Sequence, residues 1–292
     1  MEYTFSIIIP HKNTPQLLER CINSIPERDD VQIIIVDDDS DEEIVDFGKF
    51  PGISKKNIKI IFNKASLGAG HARNLALEVT KSKWLLFADA DDYYIHLNTL
   101  LDKYAKVEDV DIVYFNCKGE SDETNRCTKY NRIVEEYVSD DLKIDKKVRF
   151  NWWTPWNKMV SKHLIDKYNL KFEEVMSGND AKFSLLAGYY AGQIRVEPDY
   201  YYISTIRQES ITLRKKTLDE RIEALRVMMK IWNFTVWVGV PDKAYKNNII
   251  SYPVIKNILF QYGVRGLFLY ITQYLKEKKQ KTIYSELRRN DA

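Results

Sequence analysis

Leu85-Leu86-Phe87-Ala88-Asp89-Ala90-Asp91-Asp92 decides how this chain is read, because an apolar run ends in three carboxylates within four positions. Consecutive apolar residues are the pattern of a strand buried on both faces of a parallel sheet. Carboxylates crowded at its end repel one another and raise their own pKa values. A shared cation relieves that, and a divalent metal bridging to a phosphate is the natural counter-charge.

Outward from this stretch, Phe5 to Pro10, Val31 to Asp37 and Ile58 to Phe62 repeat the pattern, and Asp111 to Asn116 reads as a fifth strand. Helix-like segments alternate with them, so the expected class is α/β, a mostly parallel sheet flanked by helices. Thr14 is placed to cap the first helix and Pro15 to begin it. Lys118 to Phe150 turns polar and weakly periodic and reads as an insertion or loop. Trp156 to Lys167 and Gly178 to Tyr190 read as helices, with short strands near Ile194 to Val196 and Tyr200 to Ile203. From Thr217 onward the pattern is helical. The expected division is therefore 1–214 for the α/β domain and 215–292 for a C-terminal helical appendage.

At 292 residues and 45% hydrophobic content the chain can bury a full core. Cys21, Cys117 and Cys127 have no metal-ligand spacing, and an odd number cannot complete an internal disulfide framework. The start runs into Phe5 to Pro10 with neither a basic segment nor a small-residue cleavage site, so no signal peptide is expected. These features suggest a cytoplasmic protein. Charge is uneven. Residues 1–210 hold 28 Lys and Arg against 35 Asp and Glu, whereas 211–292 hold 16 against 7. The acidic part and the lack of a reading motif in the basic part argue against nucleic acid.

In a parallel α/β sheet ligands bind beyond the carboxyl ends of the strands. There the sequence places Pro10-His11-Lys12-Asn13, Asp37-Asp38-Asp39-Ser40, Gly68-Ala69-Gly70-His71-Ala72-Arg73-Asn74 and Asp89-Ala90-Asp91-Asp92. A carboxylate such as Asp38 accepts hydrogen bonds from a base or ribose, Asp91 suits a hard cation, and Arg73 adds a fixed positive fork. Together they describe a nucleoside-diphosphate site. Singly each has a plainer reading: Asp37 to Asp41 as helix caps, Gly68 and Gly70 as a tight turn, Trp152, Trp153 and Trp156 as packing residues.

This ordered set resembles the family 2 glycosyltransferases, which have the GT-A fold. Trp156-Asn157-Lys158, Gly178-Asn179-Asp180 and Arg207-Gln208-Glu209-Ser210-Ile211 extend the likeness to about two thirds of the chain. The resemblance implies an inverting, metal-dependent hexosyltransferase using a nucleotide-diphosphate sugar, a UDP-sugar first, with Mn²⁺ or Mg²⁺. By position, Pro10 and His11 would line the base pocket, Asp38 and Arg73 hold the nucleoside, Asp89 and its neighbour Ala90 meet the ribose, and Asp91 bind metal. Asp180 would be the catalytic base, with Asn179 and Trp156 toward the acceptor. The chain departs from the family pattern at His11-Lys12, at Asp39 where Gly is common, and at Asn179 where Glu often precedes the base.

The acceptor implied is a glycan or lipid-linked glycan of surface polysaccharide assembly. Val254 to Leu275 is apolar but carries Lys256, Arg265 and two glycines, so it does not read as a spanning helix. With Lys276, Lys278, Lys279 and Lys281, the stretch 254–281 reads either as an interfacial helix at the inner face of the membrane or as a helix packed on protein, including a homodimer partner. Two other functions stay open on the sequence: a degraded, non-catalytic sugar-nucleotide-binding or scaffold protein, and a nucleotidyltransferase, which the glycine-free first loop disfavours.

Overall fold

The computed structural model describes residues 3–120, 125–138, 144–205, 215–241 and 243–279. Two compact units emerge, Met1–Ser210 and Ile211–Ala292. The boundary expected at residue 214 and the Arg207 to Ile211 motif lie outside the described residues.

The first unit runs β1 (Phe5–His11), α1 (Pro15–Asn23), β2 (Val31–Asp38), β3 (Ile58–Asn63), α2 (Ala69–Val79), β4 (Trp84–Phe87), β5 (Tyr93–Tyr94), α3 (Leu97–Tyr104) and β6 (Ile112–Gly119). It continues with α4 (Asn125–Val138), α5 (Ile144–Asn151), β7 (Lys158–Ser161), α6 (Lys162–Lys167), α7 (Ala181–Tyr190) and β8 (Ile194–Ser204). One sheet orders its strands β3-β2-β1-β4-β7-β6-β8-β5. The β1–β2, β2–β3, β1–β4 and β6–β8 ladders are parallel, whereas β7 runs antiparallel to β4 and β6, and β5 antiparallel to β8. The architecture is thus the expected mostly parallel α/β sheet flanked by helices. Strands β1 and β4 are buried along their whole length, as their unbroken apolar sequences require.

This topology selects what reaches the site. Strands β1, β2, β4, β6 and β8 all end on one edge, and the antiparallel β7 begins on it with Lys158. Beneath that edge Phe87 of β4 meets Phe172 and Phe183, whose rings stack at 4.1 Å. This cluster fixes α7 and the loop before it against the sheet.

Several sequence expectations are corrected. The supposed loop from Lys118 to Phe150 contains α4 and α5, because Cys127, Tyr130, Val134 and Val148 give its charged sequence a buried face. Trp156 to Lys167 is not one helix. Met159 and Val160 satisfy helical spacing but are buried in β7 between two strands, and the helix starts only at Lys162. The two short strands after residue 194 are one strand with a register irregularity. Thr14 stands at the N-cap without a side-chain capping bond; its amide donates to His11 Nε2 instead. Asp39 does adopt a left-handed backbone, φ +62°, which Asp tolerates better than most residues.

The second unit holds α8 (Leu218–Trp237), α9 (Lys243–Ile249) and α10 (Tyr252–Lys279). Thr217 and Glu220 form a capping box at the start of α8. Leu225, Met229, Ile249, Ile258 and Tyr270 make its core. No helix among the described residues is long and apolar enough to cross a membrane.

Candidate active site

The acid loop after β4 is held by its backbone. Tyr202 of β8 accepts the Asp89 amide through its hydroxyl at 3.0 Å and donates to Asp92 Oδ2 at 2.8 Å. The Thr205 amide donates to Asp92 Oδ1, while the Thr205 hydroxyl and the Arg20 guanidinium both donate to the Asp91 carbonyl. Arg20, Tyr202 and Thr205 have no local signature; they arrive from 71 to 114 residues away.

The three acids therefore differ. Asp92 is buried, and burial first, then Asp89 and Asp91, push its carboxyl well above the usual carboxylate range. The repulsion expected from the sequence is present but secondary to desolvation. Asp89 Oδ1 accepts from Arg73 at 2.6 Å. Ligand oxygens of Asp89, Asp91 and Asp92 lie within 4.8 Å of one another. Asp92 is engaged by Tyr202 and Thr205 and Asp89 by Arg73, and the three carboxylates together form a group that could hold an ion. Carboxylate oxygens completed by phosphate and water oxygens fit Mg²⁺ or Mn²⁺.

Arg73 is the hub. It is buried on α2, its guanidinium lies 5.3 Å above the Phe172 ring, and it donates to Asp89 and, at 2.9 Å, to Asn179 Oδ1. It thus couples the acid loop to the residue before Asp180. Asp180 stands at the N-cap of α7 without a side-chain capping bond, so its carboxylate is not consumed by the helix. Burial raises its pKa, and Asp89 adds to this, while Arg73 and Lys158 oppose. Lys158 is fully buried, donates to the Trp152 carbonyl at 2.8 Å, and is pulled down to about 7 by burial, with Asp180 opposing. Nothing local in Trp156-Asn157-Lys158 marks Lys158 as a buried cation beside Asp180.

The remaining expected residues sit as follows. Pro10 pairs with Val36 inside the sheet, and Ala90 is buried between the half-buried Asp89 and Asp91. His11 is buried; its Nδ1 donates to Asp37 Oδ2 at 2.7 Å, which makes it a strut between β1 and β2. Burial raises the Asp37 pKa, but bonds from His11 and Ser40 outweigh it and leave the carboxyl below its usual range. Asp38 accepts from Asn63, the Leu67 amide and the Gly68 amide. It shapes the loop into α2. Trp156 is 3% exposed and stacked on Tyr202 at 5.0 Å. It backs the acid-loop anchor, with no open face for a sugar, so the acceptor platform expected of it is not presented.

Both glycines at the start of α2 have a structural reason. Gly68 takes φ +89°, and a Cβ on Gly70 would lie 2.1 Å from the Glu173 carbonyl oxygen and 3.0 Å from Asn179 Cβ. Gly70 therefore lets α2 approach the loop that carries Asn179 and Asp180. Gly70→Ala is expected to cost about 1–3 kcal/mol by overpacking and to lower the melting temperature; an unchanged melting curve would contradict the contact.

A family model described as Glycosyl transferase family 2 matches residues 6–165. Among relatives, the glycosyltransferase EpsJ of Bacillus subtilis is 25% identical over 75% of this chain and 66% of that protein. A poly(ribitol-phosphate) β-glucosyltransferase of Bacillus spizizenii is 27% identical over 70% and 32%. The poly(ribitol-phosphate) β-N-acetylglucosaminyltransferase TarS of Staphylococcus aureus is 25% identical over 85% and 43%. The chain thus spans from about a third to two thirds of the length of these relatives. The crystal structure of TarS 1–349 in complex with UDP-GlcNAc superposes with TM-score 0.63 and 21% identity, over 95% of this chain and 79% of that one. A Pyrobaculum calidifontis mannosyltransferase in complex with GDP-Man and Mn²⁺ gives 0.56 at 14% identity, over 100% and 79%. With more than half its length matched by the family model and its sheet arranged as in these structures, the chain belongs to glycosyl transferase family 2 and has the GT-A fold.

Proposed function

We propose that this chain is an inverting glycosyltransferase that moves a sugar from a nucleotide-diphosphate sugar, a UDP-sugar first, to a hydroxyl of a glycan or lipid-linked glycan acceptor in surface polysaccharide assembly. The observation that carries it is the coupling through Arg73. One buried guanidinium ties the acid loop to the segment bearing Asp180, so a donor held at the acid loop and a base at Asp180 would share one support. The poly(ribitol-phosphate) glycosyltransferases among the relatives point to the acceptor class.

In this reading Asp38 meets the nucleoside, with Pro10, His11 and Ala90 shaping the pocket from behind, and Asp89 meets the ribose. Asp91 would hold Mn²⁺ or Mg²⁺. Such an ion, when bound, supplies charge neutralisation to the diphosphate leaving group. Asp180 takes the proton of the acceptor hydroxyl as that oxygen bonds to the anomeric carbon and the bond to the diphosphate breaks on the opposite face. A single displacement inverts the configuration. Asn179 holds Arg73 and, through it, the geometry between acceptor and donor.

The direct test is hydrolysis or transfer with a panel of UDP-, GDP- and TDP-sugars plus Mn²⁺. Turnover with one donor is expected. Failure to bind any donor overturns the reading, and binding without turnover favours a non-catalytic sugar-nucleotide protein. Asp91→Asn is expected to abolish the stimulation by Mn²⁺ while the protein stays folded; stimulation retained in that variant moves the ion elsewhere.

A further inference from the structure

We infer that the exposed face of α10 docks the chain on an anionic lipid surface. Gly263, at φ +70°, interrupts α10, and the segment after it presents two unlike faces. Gly266, Tyr270 and Glu277 are buried; the Tyr270 hydroxyl donates to the Ile249 carbonyl, and Asn233 donates to the Glu277 carbonyl. This side packs on α8 and α9. Val264, Phe268 and Leu275 follow at helical spacing on the opposite side, 77%, 68% and 50% exposed. Before the break Phe260 is 90% exposed. A water-facing row of this kind has no gain from folding and marks a contact surface.

Charge chooses the occupant. Arg265, Lys276, Lys278 and Lys279 are exposed beside the apolar row. From residue 243 to 279 the sequence has one acid, Glu277, and it is turned to the buried side. Pairing this face with a second copy of itself would set like charges against one another, which disfavours association. An anionic headgroup layer accepts the cations while the apolar side chains enter the acyl boundary, as an interfacial helix does. Lys281, expected to contribute, lies outside the described residues. The inference stands apart from the proposed glycosyl transfer and fails or holds separately.

The test is co-sedimentation of the full chain with vesicles of phosphatidylcholine alone and of phosphatidylcholine with phosphatidylglycerol. Binding is expected only with phosphatidylglycerol, falling as salt shortens the screening length to about 3 Å at 1 M. The double variant V264E/F268E and the triple variant K276E/K278E/K279E alter exposed positions, and far-UV circular dichroism should be unchanged. Each should weaken binding by about tenfold or more. Absence of binding to phosphatidylglycerol vesicles, or binding unaffected by both variants, overturns the inference. So does a concentration-dependent dimer that V264E/F268E dissolves without any vesicle binding, which would assign the face to a second copy.

Discussion

Asp180→Asn is expected to lower the transfer rate at saturating donor and acceptor by about 10²–10⁴-fold, the usual contribution of a positioned general base, while nucleotide binding changes little. The side chain is partly buried, uncommitted to its helix, and coupled through Asn179 and Arg73 to the acid loop. Its raised pKa makes it a stronger base than a free aspartate. The sign follows: below its folded pKa Asp180 is protonated and inactive, so the acid limb of kcat/KM should lie above about 3.9, the value of a free aspartate. The same shift makes the ionised group a cost to folding. The stability it contributes is complete below the unfolded value and is lost as pH rises through the folded one. Asp180→Asn should therefore melt no lower than the parent at neutral pH, separating lost chemistry from lost fold. Full transfer activity in the variant would remove Asp180 from the mechanism.

Arg73→Ala should be the second most damaging change. It removes both bonds of the guanidinium and its place over Phe172, leaving Asp89 beside Asp91 and Asp92 without its cation. Losing these hydrogen bonds at a partly buried site costs about 1–3 kcal/mol. The figure stays below that of a fully buried ion pair because the Asp89 side chain is 37% exposed and water screens it. Arg73 Nε already lacks a partner among the described residues, so the variant forfeits two bonds. Transfer should fall by at least two orders of magnitude, because both donor and base lose their common support. Arg73→Lys should not rescue it, since one ammonium cannot span Asp89 and Asn179 as the planar fork does. Near-normal turnover in Arg73→Lys would show that charge alone suffices.

Buried parallel strands were legible because they are unbroken apolar runs, and the residues after them stood out because each run ends abruptly in polar and charged groups. Gly68 and Gly70 were legible as special but not in their purpose; Gly70 serves the approach of the loop at Glu173. Met159 and Val160 misled because two adjacent apolar residues in a short segment satisfy both a helix and a buried strand. The wiring was not legible at all. Tyr202 and Thr205 hold Asp92 across more than a hundred residues, and no periodicity encodes such a contact. Burial also changed roles that chemistry alone suggested. His11 and Trp156 have suitable groups for a ligand, yet the sheet and Tyr202 occupy them.

Crystals of the chain soaked with UDP and Mn²⁺ test the central claim most directly, that the acid loop, Arg73 and Asp180 build one donor site. The account predicts a nucleotide between Asp38 and Arg73, with anomalous density for manganese against Asp91 and the diphosphate on the Asp180 side. A nucleotide bound away from this edge, or manganese held without Asp91, would contradict it.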